Sequence, residues 1–134
     1  YQPLDTTVDS IRLLVFNSNI SSPFNHGPEI MQFEMINVEF STMPKYQALS
    51  YTWGSPDITK TIAINGAVVD IRQNLYDALF NFYERLERGA EFLLWVDAIC
   101  IDQQNLQERT SQVRLMDFIY TRAQCVIIWL GLPG

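Results

Sequence analysis

The stretch Phe92-Leu93-Leu94-Trp95-Val96-Asp97-Ala98-Ile99-Cys100-Ile101 decides how this chain is read. It is a near-continuous apolar run of strand length, as a central strand covered on both faces requires. The run breaks at Asp102-Gln103-Gln104, and a helix is expected from Asn105 to about Arg122, with Val113, Met116 and Ile119 facing inward. Cys125-Val126-Ile127-Ile128-Trp129-Leu130 then reads as a second fully buried strand. Strand, helix, strand in that order favours parallel pairing, hence an α/β sheet with helices on its faces.

Upstream of this unit a further helix is expected. Asn74 can cap it, and Leu75, Ala78, Leu79, Phe82 and Leu86 form one apolar stripe, with Gly89 suited to the left-handed position past its end. The Glu84-Arg85-Leu86-Glu87-Arg88 stretch reads as a solvated helix face with local ion pairs. Earlier still, Thr61-Ile62-Ala63-Ile64, Asn65-Gly66 and Ala67-Val68-Val69 form a hairpin signal, because Asn-Gly supplies the positive φ angles of a two-residue turn. Tyr46–Tyr51 is a short buried strand running into a turn at Thr52-Trp53-Gly54. Ile11–Phe16 and Ile30–Phe40 are strands, joined by a long polar loop over Asn17–Pro28.

The chain has 134 residues, one domain's worth, so residues 1–134 are read as a single domain. Hydrophobic residues at 48% and charged residues at 18% describe an ordinary globular composition, not a disordered one. Nine Lys and Arg against 15 Asp and Glu give a net charge of −6, which argues against a nucleic-acid surface built on clustered cations. No apolar run approaches the roughly 20 residues of a membrane span. The start lacks an initiator Met and a signal peptide, and the chain stops just past a strand, so we expect a cytoplasmic module cut from a longer multidomain protein. Cys100 and Cys125 lie in apolar runs and read as buried free thiols. The single histidine, His26, lies in the long loop, so neither a Cys–His pair nor a metal site is expected. Asn19-Ile20-Ser21 matches a glycosylation acceptor and is discounted without a secretory signal.

Chemistry is expected where the parallel strands end, since open sheets bind ligands beyond their carboxyl ends. If both strands are neighbours, Ser50-Tyr51-Thr52-Trp53-Gly54 and the Asp97–Gln104 segment open on one edge. That edge would gather the aromatic faces of Tyr51 and Trp53, the carboxylates of Asp97, Asp102 and Glu108, and the Gln103 and Gln104 amides. Structural readings compete at each position. Trp53 can pack beneath a tight turn. Asp97 can pair with Arg109 or Arg114, because a buried carboxylate needs a partner. Asp102 can cap a turn. Asn105-Leu106-Gln107-Glu108 has capping-box spacing, in which the Glu108 carboxylate would reach back to the Asn105 amide.

The sequence closely resembles the HET domain, the heterokaryon incompatibility domain of filamentous fungi. The resemblance is carried by Tyr1–Asp5, Ile11–Leu14, Tyr46–Gly54, Ile64–Gly66, Asn74–Leu79 and, longest, Leu94–Asn105, then Glu108-Arg109, Gln112-Val113, Met116, Ile119-Tyr120, Ala123 and Trp129–Gly131. It implies a cytosolic trigger of regulated cell death, fused or partnered with sensor or nucleotide-binding domains, that self-associates on activation. Through that family's distant similarity to Toll/interleukin-1 receptor (TIR) domains, it implies a flavodoxin-like fold. The expectation is a mostly parallel central sheet flanked by helices, with an added hairpin and N-terminal strands. It further implies cleavage of NAD+ as a substrate, with no retained cofactor. Glu108 corresponds, by element order, to the catalytic glutamate of NAD-cleaving TIR members; the tryptophan–cysteine pair that precedes that glutamate is absent here. Ser50, Tyr51, Trp53, Gly54, Asp97, Asp102 and Gln103 would then bind substrate. The competing expectation is a non-catalytic signalling module that assembles and recruits partners.

Overall fold

The computed structural model describes residues 3–4, 9–17, 31–85 and 91–131. Asn19, His26, Leu86, Glu87, Arg88 and Gly89 lie outside the described residues, as does most of the long loop. The elements in chain order are β1 (Ser10–Asn17), β2 (Met31–Glu39), β3 (Gln47–Tyr51), β4 (Thr59–Ile64), β5 (Ala67–Arg72), α1 (Gln73–Arg85), β6 (Glu91–Trp95), α2 (Asp97–Cys100), α3 (Leu106–Arg122) and β7 (Cys125–Trp129). They form an α/β domain around one seven-stranded sheet, ordered β5-β4-β2-β1-β6-β3-β7.

The sheet is mixed, not mostly parallel as expected. β6, β3 and β7 are parallel to one another, with β3 in the middle. β1 is antiparallel to both β2 and β6, and β4 is antiparallel to β5. The physical reason is connection length. The Asn65-Gly66 turn, with φ of 51° and 82°, joins β4 to β5 through two residues, and such a turn can only reverse the chain. Parallel pairing appears where the intervening chain is long enough to cross over: through α2 and α3 between β6 and β7, and through β3 between β2 and β4, which also pair in parallel.

The core lies on both sides of the sheet's centre. Every residue from Ser10 to Phe16 is buried, which makes β1 the most covered strand. Phe82 of α1 meets the rings of Phe92 and Trp129 at 6.0 and 6.3 Å, whereas Tyr120 of α3 sits edge-on to Trp95 at 5.4 Å. Phe92 and Trp95 lie an odd number of residues apart on one strand, so α1 and α3 cover opposite faces. The Tyr46 hydroxyl donates to the Ile119 carbonyl, tying α3 to the strand beneath it.

Four further expectations are corrected. The apolar run from Phe92 is strand only to Trp95; Asp97–Cys100 closes into a single helical turn. Asn74 is inside α1 rather than its cap, and its Nδ2 donates to the Thr52 carbonyl at 3.0 Å. β7 is not buried: it is the sheet's edge, with Val126 44% and Ile128 69% exposed, and Cys125 is exposed with it. Val113 points outward; the inward stripe of α3 instead runs through Glu108, Gln112, Leu115, Met116 and Ile119. The polar Gln112 earns its buried place by donating to the Ser10 carbonyl at 2.9 Å.

The contrast between centre and edge is measurable. Leu14→Ala removes a side chain with no exposed surface and is expected to cost about 2–5 kcal/mol in chemical denaturation. Ile128→Ala is expected to stay within about 0.5 kcal/mol of the parent. Equal losses at both positions would contradict the edge placement of β7.

Candidate functional site

β6 ends at Trp95, opposite Ala48 in parallel register, while β3 runs three residues further to Tyr51, so the chain that leaves β6 for α2 passes beside the end of β3. Past these ends the expected site residues divide into two groups, joined by the Asp97–Gln103 segment.

The first group is aromatic and charged. Tyr51 and Trp53 hold their ring planes within 8° of parallel, with centroids 6.5 Å apart. The Arg72 guanidinium lies 4.9 Å from the Trp53 ring and donates to the Gly54 carbonyl at 3.1 Å. Gly54 has a φ of +75°, and a Cβ there would come within 2.7 Å of the Asn74 amide that holds Thr52. A tight turn therefore presents Trp53, which remains 38% exposed. Asp97 begins α2, two residues past the end of β6. Burial holds its carboxyl above the ordinary 3.8, against backbone hydrogen bonds that act the other way. Its charge acts on the hydroxyls of Tyr51 and Tyr120, helping burial to make both less acidic, while Arg72 offsets part of the effect at Tyr51. Among the described residues neither Arg109 nor Arg114 pairs with Asp97. Ser50 is exposed, on the opposite face of β3 from Tyr51.

The second group is a buried ion pair. Arg12, whose side chain is 1% exposed, reaches from β1 to the Glu108 carboxylate through two hydrogen bonds of 2.5 and 2.6 Å. It also donates to the Cys100 carbonyl at 3.3 Å. Glu108 Oε2 accepts from the Asp102 amide at 2.5 Å. Half of the capping box forms: the Asn105 side chain accepts from the Glu108 amide at 3.1 Å. The Glu108 carboxylate does not return to Asn105 but turns inward, because residue 108 heads the buried stripe of α3 and a buried guanidinium requires a counter-charge. Asp102 caps the turn, accepting from the Gln104 amide at 3.2 Å. Gln103 donates to the Asp97 carbonyl at 2.8 Å and so links the two groups.

Two grooves flank the ion pair. One of about 750 Å3 runs along the first turns of α3 past Glu108, Ser111 and Gln112 to Ser10. The other, about 770 Å3, lies between the β2–β4–β5 part of the sheet and α2, lined by Arg12, Asn37, Asn65, Asp70 and Ile99. Neither is lined by Tyr51 or Trp53, so the structure does not gather Trp53 and Glu108 around one of these hollows. Burial pushes the Cys100 thiol up to about 12, so it stays protonated at neutral pH and is no nucleophile. Among the described residues no group of three or more His, Cys, Asp or Glu could hold a metal ion, and no helix is long and apolar enough to cross a membrane.

Arg12 is the residue that sequence reasoning missed. Its signal was present: one permanent charge inside the apolar strand Ile11–Phe16 demands a buried carboxylate elsewhere in the chain.

A sequence profile described as "Heterokaryon incompatibility protein (HET)" matches residues 46–134. The chain belongs to the heterokaryon incompatibility family. The matched part of this HET domain contains β3, the aromatic pair, α2, Glu108 and β7. Over 101 aligned residues the chain is 40% identical to "Heterokaryon incompatibility protein 6, OR allele" of Neurospora crassa. That alignment covers 68% of this chain and 15% of the relative, so the HET domain described here spans a small part of that protein's length. No solved structure matches the chain.

Two measurements test this geometry. Glu108→Leu and Arg12→Met are each expected to cost about 3–5 kcal/mol, since each strands a buried partner, while the double variant regains most of the loss. Additive losses would mean that the two side chains do not act as a pair. For Asp97, a raised folded-state pKa gives a stability contribution present in full below the unfolded value and lost as pH rises through the folded one. Asp97→Asn is therefore expected to gain stability relative to the parent as pH climbs above about 4. Denaturation curves with no pH-dependent difference between the two proteins would refute the desolvation of Asp97.

Proposed function

We propose that this HET domain is an effector of fungal heterokaryon incompatibility and regulated cell death, acting in the cytoplasm by cleaving NAD+ at the nicotinamide–ribose bond. The observation that supports this reading is the stacked Tyr51–Trp53 pair at the end of β3, with the half-buried Asp97 opening α2 just past the adjacent parallel strand β6. The chain leaves β3 toward β4 on one side of the sheet and leaves the adjacent β6 toward β7 on the other; such a switch point is where doubly wound sheets bind ligands. That arrangement also supports the flavodoxin-like, TIR-like reading of this half of the fold.

The reaction asks little acid–base chemistry of the site. The C–N bond breaks, its electron pair leaves with nicotinamide as a neutral molecule, and positive charge develops on the ribose. Water then adds to C1′ and gives up a proton. Aromatic faces can hold the ring, and a carboxylate near the ribose favours the cationic transition state. Glu108 is the catalytic carboxylate that the family resemblance suggests. Because its oxygens bond Arg12 and the Asp102 amide, contact with substrate requires that pair to open, a change that self-association on activation could drive. In this reading Tyr51, Trp53, Gly54, Asp97, Asp102 and Gln103 are the residues offered to substrate, whereas Ser50 faces the other side of β3 and drops out.

A second reading has its own support. Val126 and Ile128 on the edge strand, with Phe118 and Val113 on α3, leave large apolar side chains exposed, as an assembling signalling module would. Forced dimerisation separates the two. The protein is expected to deplete NAD+, read by chromatography, and Glu108→Gln is expected to lower the rate about 100-fold or more while circular dichroism shows the fold retained. Native-rate depletion by Glu108→Gln would remove Glu108 from catalysis. Absence of NAD+ loss at every degree of assembly would favour the non-catalytic module.

A further inference from the structure

We infer that the strand-end site recognises a zwitterionic nucleotide, with a positively charged aromatic ring held toward Asp97 and Tyr51 and a phosphate held toward Arg72 and Trp53. The inference deepens the NAD+ reading above and rests on it for the identity of the ligand. Its basis is the order of charges along the aromatic pair. Arg72 is fixed at the Trp53 end by its ring contact and by the Gly54 carbonyl. Asp97 is fixed at the carboxyl end of β6, beside β3, where Gln103 holds its carbonyl and α2 its backbone. The parallel register of β6 with β3 brings the start of α2 alongside the end of β3, while Arg72 lies on the Trp53 ring that stacks on Tyr51, so the two charges stand on either side of the ring pair.

A site with one anion and one cation beside two ring faces suits few ligands. A neutral planar ring would gain stacking but leave Asp97 without a counter-charge. An adenine would do the same. A pyridinium gains both stacking and attraction to the carboxylate, and the attraction is strengthened because Asp97 is half-buried. The guanidinium can then meet the phosphate with paired donors. While their ion pair is closed, Arg12 and Glu108 also brace this site from behind, pinning the Cys100 carbonyl and the Asp102 amide and thus the segment that carries Asp97.

Three probes separate the charges: nicotinamide mononucleotide, its reduced form with a neutral ring, and nicotinamide riboside, which keeps the cationic ring but lacks the phosphate. By calorimetry the parent protein is expected to bind the mononucleotide about tenfold or more tightly than either comparator. Asp97→Asn should erase the preference over the reduced form and keep the preference over the riboside. Arg72→Gln should do the reverse, and Arg72→Lys, which retains the charge, should keep both. Glu108→Gln, compared at a temperature where it is folded, should weaken all three ligands together. The inference is overturned if the parent binds none of the probes, binds all three alike, or if Asp97→Asn and Arg72→Gln lose both preferences together while folded. Intact discrimination without NAD+ consumption would instead sink the cleavage reading and leave the binding site standing.

Discussion

A guanidinium with almost no contact with water stands at the centre of this domain, and the rest is arranged to keep it paired. Arg12 lies within the most deeply buried strand. Transferring such a charge from water costs several kcal/mol, about as much as several well-buried side chains return. Glu108 offsets that cost only because α3 begins where it does, with its first inward-facing position beneath β1. The Asn105 cap sets the start of the helix, and the start of the helix sets which residue reaches Arg12. The Asp102 amide and the Cys100 carbonyl complete the set of partners, so the pair also shapes the loop between β6 and α3.

That loop couples the structural centre to the surface where ligand recognition is proposed. α2 is a single turn, too short to hold a conformation through its own hydrogen bonds. It is held instead by Arg12 on one side and by the Gln103 side chain on the other. Asp97 thereby keeps a half-buried position beside Tyr51 without an ion-pair partner of its own among the described residues. On the opposite strand, Gly54, Asn74 and Arg72 hold the turn that presents Trp53. A carboxylate and an indole, each at the end of its strand, are thus braced independently.

Local chemistry was readable wherever it is settled by neighbours in sequence. The Asn65-Gly66 hairpin, the strands around Leu13 and Phe33, the Asn105 cap and the end of α3 at Arg122 all follow from turn preferences, alternation and capping. Expectations failed where a residue's surroundings come from distant segments. Ile128 is apolar and β-branched, as a buried strand residue would be, yet it stands at the sheet's edge. Val113 lies on an apolar-looking stripe, yet Gln112 takes the inward place because the Ser10 carbonyl is waiting for a donor. For the candidate residues, the sequence named side chains but not their grouping: Tyr51 and Trp53 stack at the end of β3, Asp97 opens α2 past β6, and Glu108 turns to Arg12.

The amino-acid sequence alone determined that the chain folds as a layered α/β domain of the heterokaryon incompatibility family, because periodicity, turn residues and family motifs are properties of short contiguous stretches. Only the tertiary structure decided that the sheet is mixed, that β7 is an edge, and that the acidic residue heading α3 is committed to a strand almost a hundred positions away. Pairing a buried charge is a question of three-dimensional neighbours. Spacing along the chain reveals that a partner is needed but not which carboxylate will fill the place.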